Sequence, residues 1–509
     1  MKRLPFLVLA LLALASCHSR GNRFVPYEFG ELQTGFSPRV ETGYHRALGV
    51  ESIPHKDGAL SSVYSSLYND GSRFAIPSIG KQKLLVIPVD FDASPGDKDQ
   101  ISTISSAFFG QCEDSEFPSV AEYYDLSSYH RLHLQGKVAE SFHRCSYSLA
   151  ELFAITGARK SKAALSRIYS EAIRWYDETY PEDPSSNYAF EDGNGNRVVP
   201  VYLIYNAPYY GEGDNASNRE SMMWAFTIND PAPVSWSSYS MLFSNGRIDS
   251  HTCIHEAGHL FGIPDYYDVS GLASNQYSPL GRADMMDCSL GDHNPFTKYV
   301  LGWVKPFVAD ASCKVTLRPF ADTGECLLLG GSGDTPYDEY LLLSYYTPGN
   351  LNYVDALLRN DPSMKMMSSS GILAYKVDAR LGLFPKGISS PIGHFTSESD
   401  LNEKSIGFFS NNSYGKVAED GYSSSALVHL LCSDLSSDRI PFFFVASDEA
   451  KTVVTEEGEL HCRDVVFDVG QGIGNEDFPS LSFPSGKALT STFTVKKINP
   501  TYAEIVVKK

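Results

Sequence analysis

The sequence predicts an α+β protein in which a mixed, twisted sheet with helices laid against it is followed by a β-rich, sandwich-like second half. Three patterns carry this reading. Leu84 to Phe91 is a nearly continuous run of apolar and β-branched residues, as in a strand buried on both faces. Between Lys160 and Tyr176, Ala164, Leu165, Ile168, Ala172, Ile173 and Trp175 recur at helical spacing, which predicts a long helix packed beneath that sheet. Beyond Pro306 the pattern changes to short strand-like runs separated by turn residues.

In chain order, Lys2 and Arg3 precede an apolar run from Leu4 to Ala15, too short to cross a bilayer as a stable helix and shaped like the core of a signal peptide. The run ends in Leu14-Ala15-Ser16-Cys17, which resembles the bacterial lipobox. Residues 1–16 are therefore expected to be a cleaved lipoprotein signal, with the lipid on Cys17. The mature body would be exported, anchored to a bacterial membrane by its N-terminal lipid and facing the cell exterior. Residues 17–80, rich in Gly, Ser, Tyr and Pro without a sustained period, read as tether and lead-in. Ser119 to Tyr129 has a helical signature, and Leu132, Leu134 and Val138 alternate as a strand. Asp192-Gly193-Asn194-Gly195-Asn196 precedes another buried-looking strand, Val198 to Tyr205. Its oxygen-rich side chains admit Ca2+, but Asp-Gly and Asn-Gly are foremost turn formers and a hairpin is preferred.

One stretch organises the rest: His255-Glu256-Ala257-Gly258-His259-Leu260-Phe261-Gly262-Ile263-Pro264-Asp265. On a helix, His255 and His259 project from one face, one turn apart, and two imidazole nitrogens can reach a single Zn2+ at about 2.0 to 2.1 Å. Glu256, on the adjoining flank, can hold the water that such a metal acidifies. Gly262 can take the left-handed conformation that ends a helix, and Pro264 prevents the helix resuming. Asp265 then folds back as a third, oxygen ligand, with Asp268 able to exchange roles with it. Asp249 or Ser250 is the natural cap of the helix. Ile254, Ala257, Leu260 and Phe261 would pack inward on any amphipathic helix, yet a purely structural zinc has no use for a general base at Glu256.

This H-E-x-x-H-x-x-G-x-x-D pattern, with Tyr266-Tyr267-Asp268, resembles the zinc site of the immune inhibitor A-type bacterial secreted metallopeptidases, relatives of the metzincins. Three other stretches agree: Lys83 to Phe91; Ser119 to Tyr124 with Ser128-Tyr129; and Asp284-Met285-Met286-Asp287 with Lys298-Tyr299 and Leu301-Gly302-Trp303. The resemblance implies a metzincin-like catalytic domain over residues 81–308, the active-site helix lying against a mixed twisted sheet. It implies a methionine turn beneath the zinc, at Met286 with Met285 in reserve. It also makes Ser235 to Ser244 the edge strand to which a peptide substrate adds its own strand. Asp268, Asp284 and Asp287 are expected to accept from the second ring nitrogens of the ligand histidines. His293 has two readings, donor to the developing oxyanion or cap of a helix starting near Pro295, with Tyr266, Tyr267 and Tyr299 as further oxyanion candidates. The expected activity is zinc-dependent endoproteolysis of extracellular proteins, with Glu256 as general base. A surface-anchored binding lipoprotein with a structural or vestigial zinc site, and a zinc amidase acting on cell-wall amides, are the alternatives.

A net charge of −19 argues against nucleic acid or anionic lipid as the main partner and suits a soluble, exported monomer, with Ca2+ as a compatible second cation. Besides Cys17 the chain has Cys112, Cys145, Cys253, Cys288, Cys313, Cys326, Cys432 and Cys462. Pairing of sequence neighbours is expected, with buried free thiols as the alternative, since Cys253 lies on the inward face of the metal helix. In the second half, strands are predicted at Val315–Arg318, Cys326–Leu329, Glu339–Tyr346, Ile372–Val377, Val465–Val469, Thr492–Ile498 and Tyr502–Val507. They divide into a β-rich unit over 309–430, with a surface loop at about 383 to 425, and a strand-rich region over 431–509.

Overall fold

The Leu84–Phe91 run lies inside the first sheet, second in its strand order, as strand β1 (Gly80–Asp90). Parallel neighbours flank it on both sides, β2 (Leu132–Val138) and β4 (Val201–Tyr205), with the short β3 (His143–Arg144) pairing beyond the end of β2. A parallel β6 (Val234–Ser238) follows β4, and an antiparallel β5 (Phe226–Ile228) closes the order β2-β1-β4-β6-β5. The computed structural model describes residues 76–509 apart from 92–94, 111–116, 154–157, 192–195, 208–223, 229–231, 245, 268–278, 282, 334–335, 360–364, 381, 386–392, 395–403, 408–426, 434–451, 456–457, 462–464, 476–477 and 479. Cys17, Cys112, Cys462 and Asp268 lie outside the described residues.

Strand alternation sorts the sheet into two faces. Leu85, Ile87 and Val89 share one core with Ala164, Leu165, Ile168 and Ala172 of α3 (Ala158–Thr179), the predicted long helix. On the opposite face, Leu84, Val86, Tyr202 and Ile204 pack with residues of α1 (Lys98–Phe109), α2 (Val120–Ser127) and α4 (His251–Leu260), the motif helix. The expected Val198–Tyr205 strand is split: Arg197–Val198 pairs antiparallel with Phe190–Glu191, and β4 starts only after Pro200, which has no N–H to give a ladder. These two short strands flank the Asp192–Asn196 tract, of which residues 192–195 lie outside the described residues.

The expectation for Ser235–Ser244 is corrected. Its first residues lie inside the sheet, in β6, and the chain then turns through Tyr239–Leu242. Among the described residues the edge belongs to β5, because β6 pairs with β4 on one side and β5 on the other.

The second half has two main sheets. One runs β7 (Phe307–Val308), β9 (Cys326–Leu329), β10 (Glu339–Tyr346), β11 (Gly371–Asp378), β12 (Val428–Leu430), and the other runs β8 (Cys313–Leu317), β15 (Tyr502–Lys508), β14 (Thr492–Asn499), β13 (Gly472–Ile473). Val465–Val469 is not a strand; only Phe467 bridges, to Ile372. The stretch expected as one loop contains strands Gly382–Pro385, Gly393–His394 and Lys404–Gly407. A single hydrophobic core joins α4, α5 (Met285–Cys288) and α6 (Pro295–Val300) to β9, β10 and β11. Neighbour pairing does not hold for Cys145, Cys253, Cys313 and Cys326, which carry free thiols; Cys432 is disulfide-bonded, and its sequence neighbour Cys462 lies outside the described residues.

Candidate metal centre

Helix α4 lies on the face of the sheet where Ser235 and Ser237 point, the small side chains that leave room for a helix backbone. Ser235 donates to the carbonyl of Glu256 (3.0 Å), and Ser237 Oγ is 3.8 Å from Cys253 Sγ. Ser250 occupies the cap position without a side-chain cap bond, and Asp249 instead accepts from the His251 amide at 3.1 Å. At the other end Gly262 takes a φ of 82°, which favours glycine, and its amide bonds back to His259. The chain reverses there. A bond from the Tyr266 amide to the Met286 carbonyl (2.9 Å) then fixes the segment carrying Asp265.

His255, His259 and Asp265 converge, offering one ligand atom each within 4.8 Å of one another. Asp265 Oδ1 lies 3.0 Å from His255 Nε2 and 3.2 Å from His259 Nε2. Ligand atoms around a tetrahedral zinc stand about 3.3 Å apart, so this donor set fits that ion. Both Nδ1 atoms are committed, His255 to the Met285 carbonyl and His259 to the Ile263 carbonyl, each at 2.7 Å. With Nδ1–H donating to these carbonyls, the neutral form of each ring has its lone pair on Nε2. The outer acceptors are thus backbone carbonyls. Asp284 has other work, accepting from the amides of Met286 and Asn294.

Charge supports the geometry. Burial lowers the His259 pKa, but the Asp265 carboxylate outweighs it and raises the value to about 9. His255 is raised in the same way, and Asp265, penalised by burial, is nevertheless held well below the usual carboxylate range by His259 and His255. Glu256 is buried, 5% exposed, and its pKa is raised by that burial against the opposing pull of His259 and His255.

Met286 is fully buried, and a β-carbon placed on Gly258 would come within 2.5 Å of its Sδ, so its thioether fills the notch that Gly258 leaves in the metal helix. His293 does not cap the helix it precedes; Asn294 does, accepting from Thr297 N. Its ring is 1% exposed and packed among Tyr123, Tyr124 and Trp303, with neither ring nitrogen hydrogen-bonded among the described residues. A ring so enclosed does not face a substrate. Of the three tyrosines, Tyr266 bonds Thr297 and Tyr299 bonds the Gly333 carbonyl, whereas the Tyr267 ring stacks beside His255, centroids 6.4 Å apart.

Sequence reasoning missed several members. Thr227 of β5 donates to Glu256 Oε2 at 2.9 Å. His251, buried at the start of α4, pairs with Asp249 and with Asp355 of the second half, where Arg359 closes the cluster. The signal for His251 was present: it stands four residues before His255, on the same helix face. Asp355 and Thr227 had no comparable signal.

No protein-family model matches the chain, and none of the curated proteins compared with it matches either.

Proposed function

We propose that this chain is a zinc-dependent endopeptidase with a metzincin-like catalytic region, lipid-anchored through Cys17 and acting on extracellular proteins. The observation carrying this reading is the convergence of His255, His259 and Asp265 with a buried Glu256 on the same helix. His255 Nε2, His259 Nε2 and an Asp265 carboxylate oxygen would hold the zinc. When bound, zinc acidifies a water and polarises the scissile carbonyl.

The protein's own groups do the rest. Backbone carbonyls of Met285 and Ile263 keep both imidazoles turned with Nε2 inward. Glu256 takes the proton of the attacking water and delivers it to the leaving amine nitrogen, so the carboxyl ends the cycle as it began. No covalent enzyme intermediate is required.

The test is hydrolysis of a quenched fluorescent casein by the protein and by Glu256→Ala, with zinc content measured in both. Turnover should vanish in a variant that keeps its zinc, and a hydroxamate should inhibit the wild type. A zinc-loaded Glu256→Ala that still cleaves would sink the assignment.

A further inference from the structure

Two hydroxyls on the sheet enclose Glu256, and nothing in the H-E-x-x-H pattern calls for them. Thr227 on β5 and Ser235 on β6 are direct cross-strand partners, so their side chains leave the sheet on the same face. Their sequence neighbours Ile228, Val234 and Trp236 point the other way, into the core beneath α3. Ser235 Oγ lies 3.0 Å from the Glu256 carbonyl and 2.8 Å from Thr227 Oγ1. Thr227 Oγ1 lies 3.0 Å from that same carbonyl and 2.9 Å from Glu256 Oε2.

Each hydroxyl has one proton to donate. A carboxylate is a stronger acceptor than a carbonyl, so the Thr227 proton goes to Oε2 and the Ser235 proton to the backbone oxygen of Glu256. Oε2 then accepts one hydrogen bond, which lowers its basicity relative to Oε1. That bond resists rotation of the carboxylate about its last torsion and makes Oε1, which neither hydroxyl touches, the more basic oxygen.

We propose that Thr227 is a positioning residue for Glu256: its hydroxyl, backed by Ser235, holds the carboxylate so that Oε1 receives the water's proton and returns it to the leaving amine. This rests on the general-base reading above.

The experiment compares full-length Thr227→Val, Thr227→Ser and Glu256→Gln with wild type, each with zinc content and thermal midpoint measured. Thr227→Val should lose about tenfold or more in kcat while KM and zinc content stay within about twofold, the loss expected for a removed hydrogen bond to a charged group. Thr227→Ser, which keeps the hydroxyl, should recover most of the rate. Crystal structures of the two zinc-loaded variants give a readout independent of turnover: the Glu256 carboxylate should leave its wild-type orientation in the Val variant and retain it in the Ser variant. An unmoved carboxylate or a wild-type kcat in Thr227→Val overturns the proposal, as does a change in KM alone. The two readings separate cleanly. Turnover in zinc-loaded Glu256→Gln removes the general base itself, whereas an inactive Glu256→Gln beside a fully active Thr227→Val removes only the role of Thr227.

Discussion

Nε2 of His251, in the first turn of the metal helix, lies 3.0 Å from Oδ2 of Asp355, a residue 104 positions away in the β-rich half. The same carboxylate oxygen accepts from the Gly291 amide at 2.7 Å, so one side chain ties down both the start of the metal helix and the turn before His293. Asp249 and Arg359 complete the cluster, and the His251 ring stacks on Phe117.

This cluster makes stability depend on pH. Burial alone would lower the pKa of His251, but Asp249 and Asp355 raise it from an ordinary 6.5 to about 9. The folded state therefore holds a proton that the unfolded chain gives up first. The contribution is complete below pH 6.5 and is lost as pH rises through about 9, on the order of 3 kcal/mol in all. Thermal midpoints of the metal-free protein should fall across this window, and those of His251→Phe should fall less. Parallel curves for the two proteins would show that His251 is not the group responsible.

Zinc binding should release protons. In the metal-free protein the Asp265 carboxylate outweighs burial and pushes the His259 pKa up to about 9, so near neutral pH Nε2 has a proton to shed before it can bind a metal. Calorimetric titration with zinc in buffers of different ionisation enthalpy should register about one proton or more released per ion at pH 7, with apparent affinity falling as pH is lowered. Heats independent of the buffer would contradict it.

Gly258→Ala should destabilise the protein although alanine is the better helix former. The added carbon would stand 2.5 Å from Met286 Sδ and 3.2 Å from the hydroxyl of Tyr124, which itself bonds the Ile254 carbonyl. A propensity gain of about 1 kcal/mol is set against an overpacking cost of about 1–3 kcal/mol. Urea midpoints of Gly258→Ala, Met286→Ala and the double variant should be strongly non-additive, the second change making room for the first.

Lys298→Met should be the more damaging change. Lys298 is fully buried, with Nζ 2.5 Å from Asp292 Oδ2 and 2.9 Å from the Tyr129 hydroxyl. Removing the cation leaves Asp292 buried with Ser127 and the His293 amide as its remaining donors, at a cost of about 3–5 kcal/mol. Lys298→Met/Asp292→Asn should recover part of that loss in denaturant unfolding. No recovery would mean that packing of the lysine stem, and not the stranded charge, dominates.

What the sequence determined by itself was local. His255 and His259 meet because a helix repeats every 3.6 residues, and Asp265 reaches them because Gly262 and Pro264 turn the chain within a few residues. β1 and α3 were legible because their apolar periodicity is intrinsic to the segment. Tertiary structure alone decided which partners were drawn from far along the chain. Thr227 touches Glu256 only because a short antiparallel strand pairs outside β6, and nothing in Phe226-Thr227-Ile228 specifies that register. The acceptors that orient the two imidazoles are backbone carbonyls, which every residue carries and no sequence pattern marks. His293 resembled a cap or a donor in its local context, and only packing of Tyr123, Tyr124 and Trp303 around it placed its ring in the interior. Asp355 finds His251 by the same means: burial of the shared core brings the two halves together, and the charges then pair because leaving either one alone in that interior would cost several kcal/mol.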